Sequence, residues 1–363
     1  MSEIKKAIQA ASDEHYKKFG LTKGLIQQWE DGLRTEDKPG SYEWWYFDTH
    51  LTDGSIIVVT FYTKSLVAAN GPITPYAQIE ITAPDGKTTM EQVFADISDC
   101  HYDKEKCDVR IGKCTFRGDL HRYEIHFENE NVVADIELDG TVPSFRGNCG
   151  VTLFGDNEEY EFAWLPAVPD GKVKADVVCH GVSKHYEGIG YHDHNWGNAP
   201  MLALMNHWYW GRALVGPYTV ITAWIYAAKE YGYKEFQVFM LAKDGKIVAD
   251  NDNNTLTFTA SDRYMDDVTG KPVHNHLVYH YTADDGTEYI VTYQRQNDIN
   301  RSRFVDELPE EAREAALAAG LCGAYLRFSG LASVEVRRDS VTIEKYEDPA
   351  VWELMYFGEA MDD

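Results

Sequence analysis

The residues best able to do chemistry in this chain crowd into one stretch, Gly188-Ile-Gly-Tyr-His-Asp-His-Asn-Trp-Gly197. Side chains alternate between the two faces of a strand, so an extended conformation puts His192, His194 and Trp196 on one side and Tyr191, Asp193 and Asn195 on the other. Both faces then carry titratable groups, between glycines that read as flexible flanks. Two aromatic-rich segments, Ser41-Tyr-Glu-Trp-Trp-Tyr-Phe-Asp48 and Met205-Asn-His-Trp-Tyr-Trp-Gly-Arg212, supply further candidates. If the three segments converge, they wall one pocket at a junction between domains.

The chemistry such a pocket favours is proton transfer to an unsaturated carbon. A carboxyl group in apolar, aromatic surroundings resists ionisation and keeps its proton near neutral pH. Glu43 and Asp193 are the candidates for that acid, and His194 could hold the acid or orient a water. Indole and phenol faces stabilise a passing cation. Trp45, Tyr46, Tyr62, Trp196, Trp208 and Trp210 are therefore expected as substrate-binding walls, with His192 and Arg212 beside them. Structural roles compete with each assignment. Glu43 could pair with Arg212, Asp193 could accept backbone N–H groups in a turn, and Trp208 and Trp210 could be core residues.

His192-x-His194, with His207 as a third ligand, has the spacing of an imidazole zinc site, but H-x-H alone is a weak pattern. Cys100, Cys107 and Cys114 are evenly spaced without any C-x-x-C pair. The expectation is no metal and no cofactor, because the histidine pair lacks a recognisable carboxylate or cysteine partner in the sequence. Six cysteines without an export-type N-terminus read as reduced thiols, and a cytoplasmic location follows. Neither a phosphate-binding glycine loop nor a nucleophile elbow is present.

The elements that must position these groups are strands. From Tyr42 onward, short runs rich in β-branched and aromatic residues are punctuated by Asp-Gly pairs at 53–54, 85–86, 139–140, 170–171, 244–245 and 285–286, all read as hairpin turns. Tyr123, Ile125 and Phe127, and later Ala134, Ile136 and Leu138, alternate with polar residues, as on a half-buried sheet. Later strands are expected near 203–213, 217–228, 234–242, 276–282, 287–296 and 322–336. Residues 3–19 have helical periodicity, and Leu308–Gly320 reads as a second helix, opened by Pro309 and closed by glycine. The fold class is all-β: two packed antiparallel β-barrels with a few short helices. The division runs 1–40 as a helical extension, 41–199 as the first barrel and 200–363 as the second. A net charge of −25 argues against a nucleic-acid partner, and no apolar run is long enough for a transmembrane helix.

Glu43-Trp-Trp-Tyr-Phe-Asp48 and Gly190-Tyr-His-Asp-His-Asn-Trp-Gly197 resemble the signature segments of the AttH and carotenoid 1,2-hydratase superfamily, also called hydroxyneurosporene synthase-like. The resemblance implies lipocalin-like barrels with a ligand pocket near their junction, and functional roles for His194 and Trp196. That family's Tyr-x-Asp pair falls in the region Tyr218–Tyr226, which here has no aspartate, so the proton donor must lie elsewhere. The expected activity is that of a cofactor-independent acid–base hydratase, isomerase or cyclase. Its substrate would be an apolar or polyphenolic small molecule. The alternative is a non-catalytic lipocalin-like carrier of a hydrophobic or aromatic ligand.

Overall fold

The computed structural model describes residues 3–250, 255–318 and 320–361. The chain forms two compact units, Gln9–Pro200 and Met201–Asp363 with Met1–Ile8. Each is built on one antiparallel sheet.

In the Gln9–Pro200 unit the sheet runs from Thr88–Phe94 through Tyr76–Thr82, Ile56–Tyr62 and Tyr42–Leu51 to the central pair, Val182–Gly197 and Tyr160–Cys179. It continues through Val132–Gly140, Arg122–Glu128, Cys114–Gly118 and Cys107–Ile111 to Cys100–Tyr102. The sheet curls so that its concave side closes on itself. Phe61 meets Phe116 edge-on at 5.6 Å although five strands lie between them in sheet order, and Glu91 accepts hydrogen bonds from Asn129 and Asn131. The predicted alternation holds: Tyr123, Ile125, Phe127, Ala134, Ile136 and Leu138 are all buried in this concave core with Trp45 and Phe47. Each large apolar side chain removed from water there contributes about 1.5–3 kcal/mol.

Several sequence expectations are corrected. The helix expected over 3–19 is confined to Asp13–Phe19, where Ser12 and His15 form a capping box and Gly20 ends it in the left-handed region. Ala7–Gln9 is extended instead, and Ala10 exchanges backbone hydrogen bonds with Val151 and Cys149. Asp139-Gly140 and Asp170-Gly171 are not hairpin turns. They pair within long strands, next to a register shift between Val168 and Gly171. Nor are the motif glycines flexible flanks. A Cβ on Gly188 would lie 2.3 Å from the His50 carbonyl oxygen, and one on Gly190 2.5 Å from Val173 Cγ2, so these glycines permit close strand packing.

Among the described residues the Met201–Asp363 unit has nine strands, ordered from Lys246–Asp250 through Glu235–Lys243, Tyr218–Ala227 and Met205–Val215 to Val341–Tyr356, then Ala324–Arg338, Glu288–Arg303, Pro272–Thr282 and Leu256–Met265. Its core gathers Tyr209, Trp224, Phe239, Tyr279, Tyr293 and Trp352. The strands at 246–250, 256–265 and 341–356 were not anticipated, whereas the helix is, at Glu310–Ala318. Asp244-Gly245 and Gly286 turn with positive φ. Among the described residues no helix is long and apolar enough to cross a membrane.

Candidate active site

Val182–Gly197 pairs with Tyr42–Leu51 in a register that sets His194 opposite Trp45, Asp193 opposite Tyr46 and Trp196 opposite Glu43. The alternation of the motif is thus realised, and it divides the candidate residues between two faces.

On the concave face lie Glu43, Trp45, His192, His194 and Trp196. His194 stacks on Trp45 with ring centres 4.6 Å apart and lies 4.9 Å from Trp196. Its Nε2 is 2.7 Å from Glu43 Oε1. Glu43 also accepts the Arg34 N–H at 2.7 Å, the Thr35 N–H at 2.8 Å and the Thr35 hydroxyl at 2.6 Å, so every donor around it points inward. Glu43 and His194 are both fully buried. This carboxylate is a saturated acceptor that ties the 34–35 segment to the sheet.

The sequence reading missed Asp31, which ends the short 3-10 turn Gln28–Asp31. The Trp45 indole N–H donates to the Asp31 carbonyl at 3.0 Å, locking the turn beneath the sheet. The Asp31 carboxylate accepts the Tyr123 hydroxyl at 2.5 Å and faces His192 Nε2 at 3.2 Å. Burial pushes its pKa up, but the facing imidazoles and the Tyr123 hydroxyl outweigh that and leave it lowered. Cys107 is brought beside Asp31 and His192 as well. A carboxylate and a cysteine therefore do stand next to the histidine pair. All six cysteines are free thiols, and burial with the Asp31 charge raises the Cys107 thiol well above its ordinary range.

On the opposite face lie Asp193, Tyr46 and Tyr62. Asp193 Oδ2 accepts the Trp164 indole N–H at 2.7 Å and the Tyr191 hydroxyl at 2.8 Å, and Oδ1 accepts the Asn195 amide at 2.7 Å. Burial dominates these three donors and lifts Asp193 to about 6. Tyr62 stacks on Tyr76 at 4.5 Å, and burial raises its phenol to about 12. Tyr46 lies edge-on to Tyr191 at 6.3 Å and donates to Asp48. The partners of Asp193 are side chains, not the backbone N–H groups of a turn.

Trp208, Trp210 and Arg212 belong to the Met201–Asp363 unit. They alternate onto the face away from the Tyr209 core. The Trp208 indole N–H reaches Glu353 Oε1 at 3.5 Å, and Arg212 is buried. His207 lies between the rings of Tyr226 and Tyr356 at 4.3 and 4.4 Å, and burial lowers it to about 3.

A curled antiparallel sheet with an aromatic strand paired to a histidine-rich one is a lipocalin-like architecture. Residues 38–304 match the family model described as Diels-Alderase-like, and the chain belongs to that family. It is 28% identical over 227 residues to the quinolone epoxide rearrangement protein penF of Penicillium thymicola, a match that covers 57% of this chain and 61% of the relative. It is 25% identical over 222 residues to the hydroxyneurosporene dehydrogenase of Chlorobaculum tepidum, covering 53% and 57% respectively. The chain thus spans less than two thirds of the length of these curated relatives. Among solved structures it is similar to CghA, with a TM-score of 0.61, 12% identity and coverage of 93% of this chain and 97% of that one. It is also similar to an AttH protein of Nitrosomonas europaea, with a TM-score of 0.57, 16% identity and coverage of 92% and 97%. These likenesses bear out the resemblance drawn from the two motifs and the all-β class.

Proposed function

We propose that the protein is a cofactor-independent acid–base enzyme that hydrates, isomerises or cyclises an apolar or polyphenolic unsaturated small molecule, with Asp193 as the proton donor. The observation that carries this is the Asp193 carboxyl itself, buried, fastened by three side-chain donors and lifted to about 6. Such a group is a stronger acid than water and is still partly protonated near neutral pH. Trp164, Tyr191, Tyr46 and Tyr62 share its face and supply ring density for a cationic transition state. Rearrangement of an epoxide, as named for the fungal relative, and protonation of an alkene both need this pairing of acid and cation-tolerant wall. Glu43 and His194 act as the scaffold beneath the strand. Trp208, Trp210 and Arg212 are proposed as substrate-binding residues, and the site of action is proposed to be cytoplasmic.

The test is to incubate the protein with a panel of terpenoid, carotenoid-like, flavonoid and quinolone epoxide or alkene compounds in deuterated water. Product mass and carbon-bound deuterium are followed for wild type, Asp193→Asn and Glu43→Gln. Asp193→Asn is expected to lose on the order of 10²–10⁴ in rate with little change in ligand affinity, because it keeps the shape and removes the proton. Full turnover by Asp193→Asn would sink the assignment of the acid. Ligands bound tightly but returned unaltered and unlabelled would leave a carrier.

A further inference from the structure

The concave face holds a cluster that the proposed chemistry does not use. The Tyr46 carbonyl oxygen lies 2.8 Å from His192 Nδ1. A carbonyl only accepts, so Nδ1 carries a ring hydrogen, and Nε2 is left either to carry a second proton or to present a lone pair. That Nε2 meets an oxygen of the Asp31 carboxylate at 3.2 Å. His194 repeats the arrangement. Its Nε2 is committed to Glu43, and its Nδ1 stands 3.5 Å from Asp31 Oδ1, both atoms being buried without a hydrogen-bond partner. Nitrogen and carboxylate oxygen facing one another in a dry core require a positive centre between them, either a second ring proton or a metal ion.

We propose that Asp31, Cys107 and His192 bind a divalent cation of the zinc class. The three are buried, and each contributes a ligand atom within 4.8 Å of the other two. Mixed carboxylate, thiolate and imidazole donors select zinc over magnesium or calcium, which take oxygen ligands. Binding replaces the Cys107 thiol proton, which leaves to solvent. One carboxylate and one thiolate then neutralise the ion, so the filled site buries no net charge. The second layer is already in place: the Tyr46 carbonyl fixes the His192 ring in the metal-binding tautomer, and the Tyr123 hydroxyl holds the Asp31 carboxylate. The ligands come from the 3-10 turn, the Cys107–Ile111 strand and the Val182–Gly197 strand, so the ion staples three separated segments. Asp193 projects from the opposite face, and the ion is structural, independent of the acid chemistry.

The test uses full-length protein purified without chelators or a histidine tag. Elemental mass spectrometry is expected to find one equivalent of zinc per chain. After chelation, added cobalt(II) is expected to give a thiolate-to-metal charge-transfer band, lost in Cys107→Ser and kept in the control Cys100→Ser. Added zinc should raise the Tm of apo wild type but not of folded Asp31→Asn. Metal-free protein that takes up neither ion, with no band and no change in Tm, would overturn the proposal and assign the positive centre to protons on the imidazoles. An undiminished cobalt band in Cys107→Ser would overturn the ligand set.

Discussion

Replacing Asp193 by asparagine is expected to stabilise the protein at neutral pH, although it removes a group with three hydrogen bonds. The folded chain holds the Asp193 proton up to about pH 6, whereas the unfolded chain releases it near 3.8. Between those values the native state binds more protons, so the contribution of Asp193 to stability is greatest below 3.8 and declines as pH rises, reaching its minimum above about 6. A shift of about two pH units corresponds to about 3 kcal/mol of penalty at pH 7. Asparagine carries no charge, and its oxygen can keep the Trp164 and Tyr191 hydrogen bonds while Asn195 rotates its amide to meet the new NH₂. Allowing for imperfect replacement, the variant should gain about 1–3 kcal/mol at pH 7.5 and almost nothing at pH 4. The measurement is the urea midpoint of both proteins across that range, read as a difference so that all other titrations cancel, with unchanged m-values. A variant that is less stable at pH 7.5, or whose difference from wild type does not vary with pH, would refute the reasoning.

Further outcomes are expected from the same physics. Glu43→Gln sets an NH₂ against converging donors and should cost about 3 kcal/mol in the urea midpoint while folded protein keeps its turnover. His207 is held at about 3 against an ordinary 6.5, so its contribution to stability is complete above 6.5 and falls as pH drops toward 3; His207→Phe should flatten that dependence in acid titrations followed by circular dichroism. Gly188→Ala forces a methyl against the His50 carbonyl and should cost about 1–3 kcal/mol, visible as a lowered Tm. Lys64 donates to the carbonyls of Lys38, Ala69 and Gly71, and Lys64→Met should speed amide exchange across 65–72.

The parts of this architecture that were legible in the sequence are those governed by local periodicity. Period-two alternation gave the two faces of residues 191–196 and the buried series at 123–127 and 134–138, because a strand with one dry face must alternate. Asp244-Gly245 was readable because its positive φ values favour Asp and Gly. Illegible features depended on distant partners. Asp31 lies in a segment with no periodicity, and nothing in Gln28-Trp-Glu-Asp31 signals that its carboxylate will meet His192. Trp164, the strongest clue to the role of Asp193, becomes its neighbour only through strand register. Asp139-Gly140 and Asp170-Gly171 misled because the same dipeptide also fits a bulged strand. Strand 341–356 was hidden because most of its early side chains are exposed, so its polar residues carry no apolar pattern.

The central strand pairing also sets a timetable for synthesis. Glu43 and His194 are 151 residues apart. At about 5–20 residues per second the ribosome takes roughly 8–30 s to make the second after the first. Throughout that interval the Tyr42–Leu51 strand can pair only with Ile56–Tyr62, leaving its other backbone edge bare while Trp44, Trp45 and Phe47 are already present. The nascent chain therefore has a long window in which a holding chaperone has something to bind.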